Sequence, residues 1–419
     1  MPLRLDADQR FSCRSCARCC RRGWDVAVTA AEVESYRRAG AARWFRESAE
    51  DPVETQQDPF EPLGGGSGFR IRKRADGSCG FLSAQDRCRI HEEMGASGKP
   101  LTCRLFPFRL HPSPGETVVE ASFSCPTVVA NEGVLLPAQR PELSALRREW
   151  SRIQPEPERP LQLVRGRPLS RAALDSLRQA LRRMLDRPGA NGAPDLRASV
   201  ARMAAWLEDL SRYRVVRLAP DRLAEYVELT GRHAASSEKP VVRRGPSPAA
   251  RLLSRGFLFA VLAARLRLDE EPSSGWRLGL RVKMARLLAH VHGLWPAGGG
   301  VDVRALRRVG VPLDEPRIHA LVHNYLRSAV ETLGRRQPVV EELALSFARL
   351  NAALALAAMY AARQGDPVAG EGAVSRGLSE AADLDHVGEG GLMARLLGVL
   401  SGGTEALALF ADQPKRPRP

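Results

Sequence analysis

The cysteines of this chain are concentrated near its N-terminus. Half of them fall within eight residues, in a segment with the spacing C-x2-C-x2-C-C. The other half follow one at a time, and no cysteine occurs beyond residue 125. Thiols at this density are typical of a site that holds a metal ion or an iron–sulfur cluster through several soft ligands. The predicted metal ligands are Cys13, Cys16, Cys19, Cys20, Cys79, Cys88, Cys103 and Cys125.

The main alternative is a framework of disulfide bonds, which is typical of secreted proteins. The N-terminal residues Met1–Asp8 contain no apolar stretch of the kind that a secretory signal peptide requires. Adjacent cysteines such as Cys19 and Cys20 also make a poor disulfide, because their side chains point apart. We therefore predict a metal-binding protein, and we expect it to be cytoplasmic.

The hydropathy and the charge of the chain bear on its partners. The longest uninterrupted apolar run, Ala352–Ala362, has 11 residues and is too short to cross a bilayer, so no membrane partner is expected. The net charge of +15 could attract nucleic acid or an acidic protein. However, only five of the 63 basic residues are lysines, and no nucleic-acid recognition motif is visible. Nucleic acid is therefore not expected as a partner.

The four distal cysteines each fall at the end of a predicted element. Loops at such ends can present their thiols towards one centre. The predicted elements are a hairpin made of Ser78–Leu82 and Asp86–His91, a proline-bounded turn over Lys99–Phe108, and a strand over Val118–Phe123.

This arrangement favours a [4Fe–4S] cluster over zinc. Zinc fingers use two C-x2-C pairs that grip one ion, whereas here the third and fourth cysteines are adjacent and the distal ones are isolated. Single thiols from several loops suit the corners of a cubane cluster. Zinc remains the alternative, and the sequence leaves open which four cysteines bind. His91 is predicted to donate a hydrogen bond beside the thiolates rather than to bind the metal.

A short helix is predicted after the first cysteine segment. Thr29 is a suitable N-cap for a helix over Ala30–Ala39, and Glu32 occupies the capping-box position. Trp24, just before this helix, could cover the metal site or fill the apolar core. Core packing is the preferred interpretation.

The cysteine segments resemble a known family. The C-x2-C-x2-C-C segment at Cys13–Cys20, then Cys88-Arg-Ile-His and Lys99-Pro-x2-Cys103-Arg-x-Phe-Pro-Phe, are similar to YkgJ-type cysteine-cluster proteins. Those proteins are described as zinc- or iron-chelating domains, so the resemblance implies metal binding. The run Cys-Cys-x-x-Gly-Trp-Asp-Val at Cys19–Val26 is also similar to the flagellin lysine N-methylases, which are larger relatives with a long helical region.

The resemblance leaves two hypotheses of function. The first is a metal-binding protein, structural or redox, with no catalysis assigned. The second is a protein-lysine N-methylase, which implies S-adenosylmethionine as a cofactor and a protein such as flagellin as a partner. The segment Arg104–Phe108 is closer to the small chelating proteins than to the methylases. No dinucleotide-binding, nucleophile-elbow or P-loop motif occurs, so any catalysis is expected at the sulfur-bound centre.

The chain beyond Glu142 is predicted to be almost entirely helical, because apolar residues recur there at spacings of three and four. No fixed repeat period is visible, which favours an irregular bundle over a solenoid. The predicted helices are Leu169–Leu185, Leu196–Tyr213, Pro220–Leu229, Ala249–Leu266, Leu278–His292, Pro316–Leu333, Val339–Arg363 and Gly391–Phe410.

The predicted fold class is therefore mainly α. A small α+β cysteine-rich metal-binding domain over residues 1–135 precedes a larger irregular helical domain over residues 136–413, and the basic tail 414–419 is expected to be disordered. The first domain is predicted to fold only with its metal. In the second, His319 and His323 share a helical face but lack the glutamate of a zinc-protease helix, so they are predicted to be structural.

Overall fold

The computed structural model describes residues 1–48, 57–63, 68–153, 157–189, 192–210, 215, 217–237, 309–335 and 338–382. The chain divides into two units, each made of separate segments. The cysteine-rich unit comprises Arg10–Leu110 and Glu132–Pro157, and the helical unit comprises Met1–Gln9, His111–Asn131 and Glu158–Pro419. The sequence-derived boundary at residue 135 therefore falls inside the cysteine-rich unit, and independent folding of residues 1–135 stays a prediction.

The cysteine-rich unit is α+β and is built from short elements. The middle strand of its three-stranded sheet, β5 (Phe69–Ile71), pairs antiparallel with both of its neighbours, β3 (Ala27–Val28) and β4 (Phe60–Pro62). A separate antiparallel pair joins β2 (Arg10–Phe11) to β8 (Val134–Leu135). The elements are β2 (Arg10–Phe11), β3 (Ala27–Val28), α1 (Ala30–Ala39), α2 (Ala41–Ser48), β4 (Phe60–Pro62), β5 (Phe69–Ile71), α3 (Arg89–Met94), α4 (Leu101–Leu105), β8 (Val134–Leu135) and α6 (Arg140–Ile153).

The apolar core of this unit lies between α1, α2 and the three-stranded sheet. Its side chains are almost fully buried, and Cys79 is one of them, whereas Cys20 and Cys88 pack against its border. Thiols are therefore part of the packing of the unit. The aromatic members of the core are Tyr36, Trp44, Phe45, Phe60 and Phe81.

Two local predictions near the distal cysteines are wrong. Residues Arg89–Met94 form helix α3 instead of a strand, because Arg, Glu and Met favour helix and Cys88 adopts an extended N-cap conformation. In place of the predicted hairpin, the structure has isolated antiparallel bridges, one of which pairs Leu82 with Cys88. The segment around Cys103 contains the short helix α4, which begins directly after Pro100, rather than a simple turn.

The prediction for helix α1 is confirmed. Thr29 is its N-cap, and the Thr29 hydroxyl accepts a hydrogen bond from the Glu32 backbone N–H at 3.2 Å. In return the Glu32 carboxylate accepts from the Thr29 N–H at 2.8 Å, which completes the capping box. The other Glu32 oxygen accepts from the Leu101 N–H at 3.0 Å. Glu32 therefore ties α1 to the beginning of α4, the helix that carries Cys103.

Replacing Glu32 with alanine is expected to destabilise the cysteine-rich unit by about 2–3 kcal/mol, because it removes one half of a capping box and a charged hydrogen bond to Leu101. Glu34→Ala is the matched control on the same helix, since Glu34 is exposed and pairs with Arg38 alone among the described residues. Its loss should cost less than about 0.5 kcal/mol. Hydrogen exchange of α1 and α4 peptides in increasing urea measures both values. Equal losses for the two variants would contradict the assigned role of Glu32.

The helical unit contains one small sheet and the long helices. Strand β7 is central in a sheet of order β1-β7-β6 and pairs parallel with β1, with Leu3 opposite Thr117. All six β7 residues are buried. The elements are β1 (Leu3–Arg4), β6 (Phe108–Ser113), which carries the chain into this unit, β7 (Glu116–Ala121), α5 (Pro126–Ala130), α7 (Arg171–Leu185), α8 (Leu196–Leu210), α9 (Pro220–Ser236), α10 (Pro316–Glu331), α11 (Val339–Gln364) and α12 (Glu371–Ala382).

The sequence predicted five of these helices and missed α12. Four of the five have closely similar bounds, whereas α9 ends at Ser236, seven residues beyond its predicted end at Leu229. Gly377 explains the omission: a Cβ at this position would lie 2.2 Å from the Ala353 carbonyl oxygen, so α12 packs closely on α11 through small residues. Small residues produce a weak amphipathic pattern. The predicted helices Ala249–Leu266, Leu278–His292 and Gly391–Phe410 and the tail 414–419 lie outside the described residues.

Helix α11 is the most apolar of the described helices. Within the described part of the chain, it alone is long and apolar enough to cross a membrane, and 78% of its most apolar 18-residue window is buried inside the protein. Helices α10 and α12 pack against it. The apolar composition of α11 thus agrees with its central, buried position in the helical unit.

Buried charges hold the small sheet to the helices of this unit. The Arg178 side chain is 2% exposed and lies 2.9 Å from the Asp175 carboxylate and 3.6 Å from that of Glu116 on β7. Glu120, further along β7, accepts a hydrogen bond from His111 at 2.9 Å and pairs with Arg335 at 3.4 Å. Buried ion pairs need such multiple partners to offset the cost of desolvation. The helical periodicity of the sequence gives no signal for this network.

Candidate metal centre

The proximal cysteine loop has an unusual backbone. Ser15 and Ala17 adopt the left-handed conformation, with φ of 52° and 55°. This conformation costs a non-glycine residue about 1–3 kcal/mol and persists where surrounding structure enforces it. The Ala17 side chain is buried, and its carbonyl oxygen accepts hydrogen bonds from the Cys20 and Arg21 N–H groups at 2.9 and 3.0 Å. The loop therefore reverses direction just before Cys19 and Cys20.

A backbone hydrogen bond joins the proximal loop to the first distal cysteine. The Cys79 N–H donates to the Cys20 carbonyl oxygen at 2.7 Å. Cys79 is also bridged antiparallel to Lys73. Close backbone packing at the next residue, Gly80, leaves no space for a side chain: a Cβ there would lie 2.2 Å from Phe45 Cε2 and 2.8 Å from the Arg72 carbonyl oxygen.

The remaining two cysteines of this region lie on the short helices. Cys88 is the N-cap of α3, and Cys103 lies in the middle of α4. The Thr102 hydroxyl donates to the Ala27 carbonyl oxygen at 3.0 Å, which holds α4 beside strand β3. The hydrogen bond from the Leu101 N–H to the Glu32 carboxylate holds the first residue of the same helix. These bonds place Cys103 next to the segment that follows the proximal loop.

Five thiols of the cysteine-rich unit interact electrostatically, and we call them the thiol cluster: Cys19, Cys20, Cys79, Cys88 and Cys103. Burial raises the pKa of the three distal thiols, and negative charge on neighbouring cysteines raises it further. A cation bound among these thiols would reverse both effects, because it stabilises thiolates directly. The donor set therefore fits a thiophilic metal.

The Cys19–Cys20 pair is the most strongly coupled part of the cluster. The two sulfur atoms lie 3.9 Å apart, and hydrogen bonding between them lowers the pKa of Cys19 to about 6 while it raises the pKa of Cys20. One proton therefore leaves the pair easily, and the second leaves with difficulty because two like charges would be adjacent. At neutral pH the pair supplies one thiolate.

Backbone amides are directed at two of the distal sulfurs. The Phe81 N–H lowers the pKa of Cys79, and the Ile90 and His91 N–H groups lower the pKa of Cys88. Such bonds favour the thiolate and oppose the effect of burial on the pKa. Amide donors two and three residues after a cysteine stabilise metal-bound thiolates.

The structure does not place all eight predicted ligands together. Cys13 and Cys16 are exposed on the proximal loop, and Cys125 is buried in the helical unit, where it is the N-cap of α5. Among the described residues, no three Cys, His, Asp or Glu side chains already have the arrangement of a metal site. Binding would therefore draw the thiols of the cluster closer together.

Trp24 does not fill the apolar core, which corrects the preferred interpretation of this residue. It is half-buried, is not among the core side chains, and packs on Phe106 with ring centroids 5.2 Å apart. Phe106 is three residues after Cys103, so both side chains lie on one face of the α4 turn. The aromatic pair therefore lies beside the thiol cluster.

His319 and His323 on α10 form a second group of potential ligands. Their rings stack at 5.9 Å, and each Nε2 already donates a hydrogen bond, at 2.7 Å to the Pro194 carbonyl oxygen and at 2.9 Å to the Asp186 carboxylate. These contacts agree with the predicted structural role. Replacing both histidines with glutamine is expected to leave the metal content of the protein unchanged.

His323, on helix α10, should make the free energy of unfolding depend on pH. Burial lowers the pKa of His323 below its ordinary value, so the unfolded chain takes up the proton more readily than the folded one. The contribution of His323 to stability is therefore complete above about pH 6.5 and is lost as the pH falls through the lower folded pKa. In urea unfolding between about pH 7.5 and 5.5, His323→Gln should reduce this loss. His233→Gln, at an exposed position of α9, is the control and should leave the slope unchanged.

A small cavity of about 30 Å³ lies in the helical unit. Its lining includes Glu120, Phe123, Tyr325, Arg335 and Arg349. A volume of this size has room for about two water molecules. It therefore explains how some of these buried polar groups are hydrated, and it does not define a ligand site.

The fold and the thiol cluster define a small α+β unit rich in cysteine. Residues 12–126 match the family model CxxCxxCC, described as "Putative zinc- or iron-chelating domain". This match confirms that this part of the chain resembles the YkgJ-type cysteine-cluster proteins. No curated protein and no solved structure matches the chain. The relation to flagellin lysine N-methylases stays a prediction, as do S-adenosylmethionine as a cofactor and flagellin as a partner.

Proposed function

We propose that this protein binds a zinc- or iron-containing group through Cys79, Cys88, Cys103 and one thiolate of the Cys19–Cys20 pair. One observation carries this proposal: five thiols from four separate segments interact within one unit. Each distal thiol comes from a different turn or helix, and the proximal loop adds a thiolate that is ionised at neutral pH. Four soft, anionic donors are what zinc and iron–sulfur groups require.

We favour a [4Fe–4S] cluster over zinc as the bound group. The ligands arise singly from turns, which suits the corners of a cubane, and none of the four is part of a C-x2-C pair with another of them. A cluster would supply one-electron redox chemistry, whereas zinc would supply a structural link. In either case the chain's own contribution is the same: it holds the thiolates, and its amides at Phe81, Ile90 and His91 stabilise them.

Anaerobic purification of the full-length chain tests the proposal directly. A brown, oxygen-sensitive protein with about four iron and four sulfide per chain is expected. Colourless protein with stoichiometric zinc would show that the bound group is zinc and not an iron–sulfur cluster. Protein without zinc or iron, even after anaerobic reconstitution with either, would refute metal binding.

Single serine variants identify the ligands. Cys79→Ser, Cys88→Ser and Cys103→Ser are each expected to lose most of the metal, since a structural metal site needs its full set of thiolates. Cys13→Ser and Cys16→Ser are the matched controls, because these cysteines belong to the proximal loop but not to the thiol cluster. Full loss of metal in these two controls would show that the metal is held by the cysteines of the proximal loop instead. Cys125→Ser tests the remaining sequence prediction for the cysteine in the helical unit.

A further inference from the structure

Lysines in this chain are rare. Only five of the 63 basic residues are lysines. Three of these, Lys239, Lys283 and Lys415, lie outside the described residues. The other two, Lys73 and Lys99, both belong to the cysteine-rich unit and are both half-buried. In the described part of the chain, therefore, every lysine is found in the unit that carries the thiol cluster.

Lys73 lies on the same side of the chain as the Cys79 thiol. The two residues are partners in an antiparallel bridge, and directly opposed residues place their side chains on one face with Cβ atoms about 5 Å apart. The Lys73 ammonium donates to the Arg22 carbonyl oxygen at 3.3 Å. Arg22 comes two residues after Cys20, whose own carbonyl oxygen accepts from the Cys79 N–H. The ammonium is thus held between Cys79 and the end of the proximal loop.

Lys99, the second of the two lysines, lies four residues before Cys103 in the sequence. Its positive charge acts on the thiols of Cys19, Cys88 and Cys103. Its backbone is fixed, because the Lys99 carbonyl oxygen accepts a hydrogen bond from the Arg104 side chain at 3.1 Å. The two lysines together therefore act on four of the five thiols of the cluster.

Within the described segments, neither ammonium is paired with an acidic side chain. Among the described residues, no carboxylate forms an ion pair with Lys73 or Lys99. The arginines that flank the cysteines are already engaged, Arg21 with Asp86, Arg104 with Glu149, and Arg74 with the carbonyl oxygens of Ser48 and Leu82. Two uncompensated compact cations beside a group of thiols form an environment suited to an anionic complex.

We propose that Lys73 and Lys99 compensate the charge of the metal complex that the thiol cluster holds. Four thiolates around Zn²⁺ or around an oxidised [4Fe–4S] core leave two excess negative charges, and the two ammonium groups balance both. Compensation strengthens binding of the thiolate complex, because unbalanced charge in a partly buried site is costly. This inference rests on the proposed function and adds to it the residues that favour a dianionic centre.

The test uses the full-length chain loaded with Zn²⁺ and challenged with an excess of a chelator. Lys73→Met and Lys99→Met should each release zinc about ten times faster than the wild type, and the double variant faster still. The difference should shrink between about 0.05 M and 1 M salt, because mobile ions screen the ammonium groups. Lys73→Arg and Lys99→Arg, which keep the charge, should restore most of the retention.

Arg38→Met is the matched control, because it removes one positive charge from an exposed site of the same unit. Its release rate should stay within twofold of the wild type. Release from both methionine variants at the rate of this control would overturn the charge-compensation proposal while zinc binding by the wild type still stood. A wild type that holds no metal at all would overturn the proposed function as well. Hydrogen exchange of the loaded variants verifies that faster release does not reflect a misfolded unit.

Discussion

Removing the metal from the full-length protein is expected to unfold the cysteine-rich unit. Its strands have two or three residues, Cys79 is part of its core, and its buried thiols raise one another's pKa when no cation is among them. In small domains of this kind, the binding free energy of roughly 10 kcal/mol or more is also folding free energy. The helical unit has long helices and a large apolar core of its own, and it should stay folded.

Hydrogen-exchange mass spectrometry before and after chelation separates the two units. Peptides from α1 and α2, which carry Tyr36 and Trp44, should lose their protection, and peptides from α7 and α11 should keep it. The helical unit thus serves as the internal control in the same sample. Full protection of the Trp44 peptide after complete metal removal would show that the core suffices without the metal.

Gly80→Ala is expected to destabilise the cysteine-rich unit by about 3 kcal/mol and to weaken metal binding. A Cβ at Gly80 would lie 2.2 Å from the Phe45 ring and 2.8 Å from the Arg72 carbonyl oxygen. A side-chain rotation could relieve the first contact, but the second is with backbone, so the strand must shift. Cys79 is the adjacent residue, and any such shift also moves its thiol.

Gly23→Ala is the control for this substitution. No atom lies within 4 Å of a Cβ built at Gly23, which belongs to the same unit and follows the same cysteine segment. It should change the free energy of unfolding by less than about 0.5 kcal/mol. Urea unfolding of the loaded proteins measures both variants. A Gly80→Ala protein as stable as the Gly23→Ala protein would show that the backbone at Cys79 is adaptable.

Local patterns in the sequence were sufficient where a single interaction decides the structure. The spacing of Thr29 and Glu32 predicted a capped helix over Ala30–Ala39, and the structure has that helix and that cap. Periodic apolar residues predicted α10 and α11 to within two residues at each end. In each case the controlling contacts are within a few positions along the chain.

The sequence was insufficient where contacts between distant segments decide the structure. Residues 86–91 were predicted to form one strand of a hairpin, yet Arg89–Met94 form α3. Likewise, the cysteine count gave eight candidate ligands without saying which of them act together, whereas the structure relates five of them through contacts such as the hydrogen bond from Cys79 to Cys20. Spacing identifies the residue types of a metal site, but tertiary contacts select its members. The ligand assignment itself stays a prediction until the serine variants are measured.

The parallel pairing of β1 with β7 has a consequence for biosynthesis. Leu3 leaves the ribosome first, but its partner Thr117 is made more than a hundred positions later, after nearly all of the cysteine-rich unit. Bringing the two ends of a long flexible loop together costs conformational entropy. A folded segment between Leu3 and Thr117 reduces the number of flexible residues in that loop, and so reduces this cost. A metal-loaded cysteine-rich unit would therefore bring the two strands together earlier. The supply of metal during translation would then control how quickly the helical unit, which holds no ligand of the thiol cluster, reaches its native state.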